Sequence, residues 1–109
     1  MKKNLLAIIL ISSFAATSWA QTTSAWTTIS SIRTGWNADQ VAIILNGTIP
    51  NPAGCSMPDG IILNTSTPGY KTHYATILAA MMAEKEVAIA VANTGCILDR
   101  PIFWGISLK

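Results

Sequence analysis

Residues 67–92 read TPGYKTHYATILAAMMAEKEVAIAVA. Thr67 is suited to cap a helix and Pro68 to sit in its first turn, where a missing N–H costs nothing. Tyr70, Tyr74, Ile77, Leu78, Met81 and Met82 then recur at i, i+4, i+7, i+8, i+11 and i+12, one apolar stripe that predicts a helix lying on a sheet. Ala75, Ala79, Ala80 and Ala83 add helix propensity, and Lys71, His73 and Thr76 are expected on the solvent side. Glu84-Lys85-Glu86 breaks the pattern. From Val87 the period changes to two: Val87, Ile89 and Val91 share one strand face, and Ala88, Ala90 and Ala92 make a flat second face open to a helix or another subunit.

Beyond this stretch, Asn93-Thr94-Gly95-Cys96 forms a turn and Pro101 opens a last strand. Its alternation sends Ile102, Trp104, Ile106 and Leu108 one way and Phe103, Gly105 and Ser107 the other, so Trp104 is expected in the core. Upstream, Trp26–Trp36 is rich in Thr, Ser and Ile and reads as a strand, although Trp26, Ile29, Ile32 and Trp36 are spaced nearer a helical period. Asn37-Ala38-Asp39 reads as a turn and Val41–Leu45 as a strand ending at the turn signal Asn46-Gly47. The segment Pro50–Gly60, with three prolines and two glycines, is a loop, and Ile61–Leu63 is a third short strand. Gln21–Ala25, polar and small, reads as a loose lead. The order β-β-β-α-β-β belongs to a mainly β (α+β) domain. An OB-type five-stranded barrel with one amphipathic helix fits it, and other five-strand α+β arrangements share the order.

Residues 1–20 carry the marks of a cleavable signal peptide: Lys2 and Lys3, an apolar run from Leu5 to Ile11, and Ser18-Trp19-Ala20 before Gln21. The apolar run is far shorter than the roughly 20 residues of a membrane anchor, the competing reading. The working molecule is thus expected to be one domain, residues 21–109, periplasmic or secreted. Without Lys2 and Lys3 it carries Arg33, Lys71, Lys85, Arg100 and Lys109 against Asp39, Asp59, Glu84, Glu86 and Asp99, which balance. No basic field is left for nucleic acid or an anionic membrane surface. In an oxidising compartment Cys55 and Cys96 are most simply one intramolecular bridge; a bridge between chains or two free thiols are the alternatives. Closing a loop of about 42 residues would contribute roughly 4 kcal/mol on the chain-entropy model.

The same residues carry little chemistry. His73 is the single histidine and falls on the predicted helix, no pair of carboxylates has a spacing that gathers it into one pocket, and no serine lies in a nucleophile elbow. No phosphate-cradling glycine loop occurs, and two cysteines with one histidine make a poor metal set. Neither an enzyme nor a cofactor is expected. Aromatic and polar surface remains. Trp36, Asn37 and Asp39 place an indole beside an amide and a carboxylate in a predicted loop, a combination suited to stacking on a sugar ring and bonding its hydroxyls. The expected function is an exported binding module for a glycan or surface ligand; the alternative is a stand-alone periplasmic protein that binds or inhibits another protein.

From Tyr70 to Lys109 the run of amphipathic helix, polar break, Val/Ile-rich strand, cysteine-bearing turn and final strand resembles the C-terminal half of the B subunits of AB5 toxins, of the cholera toxin and subtilase cytotoxin type. The N-terminal half, two strands and then the loop Asn51-Pro52-Ala53-Gly54-Cys55, is similar in order. The resemblance implies an OB fold, carbohydrate binding, a homo-oligomer and a separate catalytic chain. It departs from the cholera type in its first cysteine, which in that type lies near the mature N-terminus.

Overall fold

The computed structural model describes residues 21–35 and 39–109. The expected signal peptide and the candidate residues Trp36 and Asn37 therefore lie outside the described residues. Six strands and one helix follow in the order β1 (Gln21–Thr23), β2 (Ile29–Thr34), β3 (Gln40–Leu45), β4 (Ile61–Asn64), α1 (Tyr70–Met82), β5 (Val87–Ala92) and β6 (Phe103–Leu108). They form two antiparallel three-stranded sheets, β1-β5-β6 and β2-β3-β4. Single bridges tie the sheets together. Thr27 and Val87 exchange backbone hydrogen bonds of 3.0 and 2.7 Å, and Ile62 donates to the Pro101 carbonyl at 2.9 Å beside a parallel bridge to Ile102. The domain is mainly β with one helix, as the sequence predicts, but no closed barrel is found.

The supposed loose lead is a strand. Gln21–Thr23 has no large apolar residue, yet it pairs with Ala90–Ala92. Ser24 extends the pairing, its N–H reaching the Ile89 carbonyl and its hydroxyl accepting from the Ile89 N–H. Backbone groups beside a buried strand must find partners, and this polar segment supplies them. β5 is consequently central in its sheet, and Ala88 and Ala90 are buried within the single chain, so the alanine face is not free for another subunit.

Two β-bulges explain where the apolar pattern misleads. In β2 the register advances two residues, Ile29 to Ser31, while β3 advances one, Leu45 to Ile44. The extra residue, Ser30, lets Ile29 and Ile32 both pack on the core, which produces the helix-like spacing inside a strand. In β6, Gly105 faces Ala90 and Phe103 faces Val91, so Trp104 is the unpaired extra residue. Phe103 is thereby buried at 1% exposure, and Trp104, expected in the core, stands 52% exposed.

The core joins Ile29, Val41, Ile43 and Leu45 from β2 and β3, Ile61 and Leu63 from β4, and Val87, Ile89, Val91 and Phe103 from the other sheet, with α1 laid across them. The helix contributes Ile77 and Ala80 as fully buried residues, with Tyr70, Tyr74 and Met81 packed partly against the core. Leu78 is only half-buried and Met82 is exposed, so the stripe is rotated from the predicted one. His73, expected in solvent, is half-buried with its ring tilted over Phe103 at 4.9 Å. Among the described residues no helix is long and apolar enough to cross a membrane.

The paired cysteines lie where the long β3–β4 loop meets the connection between β5 and β6. Cys55 and Cys96 form an intramolecular disulfide with Cα atoms 5.9 Å apart, closing a sequence separation of 41. Asn51 prepares the loop for it, its side chain donating to the Cys55 carbonyl at 2.9 Å and accepting from the Cys55 N–H at 2.8 Å.

Candidate functional site

Two openings lie side by side where α1 begins over the ends of β2 and β3. The outer one, ≈ 560 Å³, is lined by Asp39, by Thr65 and Thr67 of the β4–α1 loop, and by Gly69 through Thr72. The inner one, ≈ 320 Å³, is lined by Thr34, Gly35, Asp39, Gln40 and Val41 on one wall and by Tyr70 and Tyr74 on the other. Asp39 and Tyr70 border both, so the two openings adjoin as parts of one cleft region.

Local rules place each wall. β2 ends at Gly35, whose φ of +117 suits glycine alone and turns the chain away from the strand. β3 restarts at Gln40, in register with Asn64 at the end of β4. From there the chain tightens into successive turns. The Asn64 side-chain oxygen accepts from the Ser66 N–H, the Thr67 N–H reaches the Asn64 carbonyl and the Tyr70 N–H reaches the Thr67 carbonyl. This Asx-type start displaces the predicted cap: the helix begins at Tyr70 after Gly69 in the left-handed region, φ 77, and no side chain caps it. Tyr70 and Tyr74, one turn apart, stack with centroids 6.1 Å apart and planes inclined by 21°. Their bodies rest on the core and their rings form the cleft wall.

The cleft brings polar and aromatic side chains together. Its inner part offers a carboxylate, a carboxamide, a threonine hydroxyl and two tyrosines; its outer part adds Lys71 and more threonines. Gln40 Oε1 is sealed from solvent and accepts no hydrogen bond, the one such buried side-chain atom among the described residues. A second opening, ≈ 200 Å³ and largely apolar, lies between Thr67, Pro68, Phe103 and Trp104. Among the described residues no three His, Cys, Asp or Glu side chains gather as metal ligands would.

Of the residues singled out in the sequence, Asp39 lies in the cleft, while Trp36 and Asn37 lie outside the described residues. Tyr70 and Tyr74 were legible only as core stripe, because a tyrosine at a core-facing position gives no sign that its outer edge borders a cleft. Gln40 carried no signal at all. No family model, no curated protein and no solved structure matches the chain.

Proposed function

We propose that the chain is an exported carbohydrate-binding module of OB type, with its glycan held in the cleft between α1 and the adjoining ends of β2 and β3. The observation that carries this reading is the stacked Tyr70–Tyr74 pair facing Asp39 and Gln40 across one opening. Tyrosine rings offer apolar surface to the C–H face of a pyranose, and convergent polar groups fix its hydroxyls. The OB assignment is supported by the two bridges, Thr27 to Val87 and Ile62 to Ile102, which lie at the seams where the sheets would join in a curled barrel. The disulfide agrees with a periplasmic or secreted protein. In its fuller form the proposal includes a homo-oligomer that accompanies a separate catalytic chain. Sedimentation at micromolar concentration tests that part, and a mass of one chain overturns it.

A glycan array tests the reading itself. Purified protein should bind a limited set of saccharides, and Asp39→Ala and Tyr70→Ala should lose that binding while keeping the wild-type circular dichroism. A wild-type protein that binds no saccharide overturns it.

One observation favours the second reading, a stand-alone protein that binds or inhibits another protein. Trp104 is extruded by a bulge on β6, an edge strand, beside the apolar opening against Pro68 and Phe103. A sheet edge bearing an exposed aromatic anchor is a surface for an extended polypeptide. On this reading Trp104→Ala, rather than Asp39→Ala, is the substitution that abolishes binding.

A further inference from the structure

β1 begins at Gln21, the residue that follows the expected cleavage signal Ser18-Trp19-Ala20. It is an edge strand, with β5 on one side and no strand of its sheet on the other. In an antiparallel ladder, successive residues of an edge strand turn their N–H groups alternately toward the partner and away from it. Hydrogen bonds on both strands set that phase. The Ser24 N–H reaches the Ile89 carbonyl at 2.8 Å, so Ser24 and Thr22 face β5 while Thr23 and Gln21 face outward. Ala92, opposite Gln21, spends its own N–H on the Ile102 carbonyl at 2.9 Å, away from β1.

The Gln21 nitrogen is therefore not a donor to the ladder. Cleavage before it would turn that nitrogen into a primary amine on the open edge, linked through Cα, Cβ and Cγ to the carboxamide carbon of the same residue. Gln21 is half-buried rather than enclosed. Thr22, next along, is paired with Val91, and its hydroxyl donates to Asn93 Oδ1 at 2.5 Å. The strand is thus anchored from its second residue, and its first can rearrange without breaking the pairing with β5.

We propose that Gln21 is a modification site: once freed by cleavage, its α-amine attacks its own side-chain carboxamide and closes a lactam ring, so that the mature chain begins with pyroglutamate. The bond from the backbone nitrogen to Cδ forms as the bond from Cδ to Nε2 breaks. The amine gives one proton to the departing nitrogen, which leaves as ammonia, and no oxidant, reductant or second reactant takes part. This rests on the export reading above, since the chain must start at Gln21. The lactam has neither the charge nor the free amine of an ordinary terminus. Chain termini are where proteolysis concentrates, and an exopeptidase that grips the terminal amine finds none here. The short strand covering the edge of β5 is thereby kept whole.

The test expresses the full chain with its own leader and weighs the undigested product by mass spectrometry. The chain should start at Gln21 and weigh one ammonia less than that sequence with its disulfide closed, and stepwise N-terminal degradation should release no residue. Gln21→Ala should be cleaved at the same place, keep its whole calculated mass and the wild-type circular dichroism, and yield to N-terminal degradation. It should also lose residues of β1 to an aminopeptidase that leaves wild type intact. A wild-type chain that starts at Gln21 with its full mass and a free amine overturns the modification and leaves export standing. A chain that retains Met1 overturns the export reading and the modification with it. A Gln21→Ala protein as resistant to the aminopeptidase as wild type overturns the protective role of the ring, because the sheet alone would then guard the terminus.

Discussion

Arg100 grips the carboxylate of Asp59 with two hydrogen bonds, from Nε at 2.6 Å and from Nη2 at 3.3 Å, across 41 residues of chain. Its third nitrogen, Nη1, donates to the Leu98 carbonyl at 2.8 Å, and the Met57 N–H reaches the Asp99 carbonyl at 2.9 Å. The long proline-rich loop and the turn at residues 97–100 are therefore fastened twice, by these polar contacts and by Cys55–Cys96. A loop with few apolar side chains has little else to hold it.

The hydrogen bond from Arg100 lowers the Asp59 carboxyl below its ordinary value of 3.8; desolvation opposes this, and the charge of Arg100 adds to the lowering. A depressed carboxylate contributes stability that is present above the unfolded-state value and is lost as pH falls through the folded-state value. Asp59 is half exposed, so the contribution is that of a solvent-screened pair, about 1 kcal/mol or less. Asp59→Asn should melt slightly below wild type at neutral pH, and the gap should close only below 3.8. Thermal melts from about pH 2 to pH 7 check this; a gap that closes above about pH 5 counts against the pairing.

The disulfide is the larger fastening. Replacing both Cys55 and Cys96 by alanine should lower stability by about 2–4 kcal/mol, read as a reduced urea midpoint. A midpoint unchanged within error would mean that the loop holds its place through Arg100 and Asn51 alone.

Leu98 and Asp99 both have positive φ, 52 and 64, between the paired residues Ile97 and Arg100. A two-residue hairpin turn of this kind favours asparagine first and glycine second. Leucine in the left-handed region carries a steric cost of about 1–2 kcal/mol, and Leu98 lies outside the hydrophobic core, 39% exposed. Leu98→Asn should therefore raise stability, by about 0.5–1 kcal/mol in urea titrations. A destabilised variant would show that the leucine side chain packs usefully.

The elements were legible in the sequence where a strong period coincided with strong punctuation: the helix, the alternating Val87–Val91 strand and the Val41–Leu45 strand. Facing was less legible. The bulges at Ser30 and Trp104 shift the alternation by one residue, and nothing in the residue types there announces an extra residue in the ladder. Gln21–Thr23 pairs through its backbone, which composition does not record. The helix stripe was misread at its end: Ala80, taken only as a helix former, is buried, while Met82 is exposed. The cleft depends on where the start of α1 falls against Gln40, a relation fixed by tertiary packing.

Export is tested directly by mass spectrometry of protein recovered after expression with its own leader. The expected chain begins at Gln21, the first residue of β1, and is two hydrogens lighter than the reduced form. A chain that retains Met1 rejects cleavage.

The rotated helix stripe yields the sharpest stability comparison. Ile77 is fully buried among residues of both sheets, whereas its neighbour Leu78 is half-buried. Ile77→Ala removes methylene and methyl groups from a packed core and should cost about 2–5 kcal/mol, a large part of the stability of so small a domain. Leu78→Ala should cost about 1 kcal/mol, in proportion to the smaller apolar area it withdraws from water. His73→Ala should fall near Leu78→Ala, because the imidazole lies at 4.9 Å over Phe103 and its loss uncovers that ring. Urea titration of the three variants ranks them. Were Leu78→Ala to cost as much as Ile77→Ala while His73→Ala cost nothing, the helix would present the face read from its sequence, and Tyr70 and Tyr74 would be turned away from the cleft.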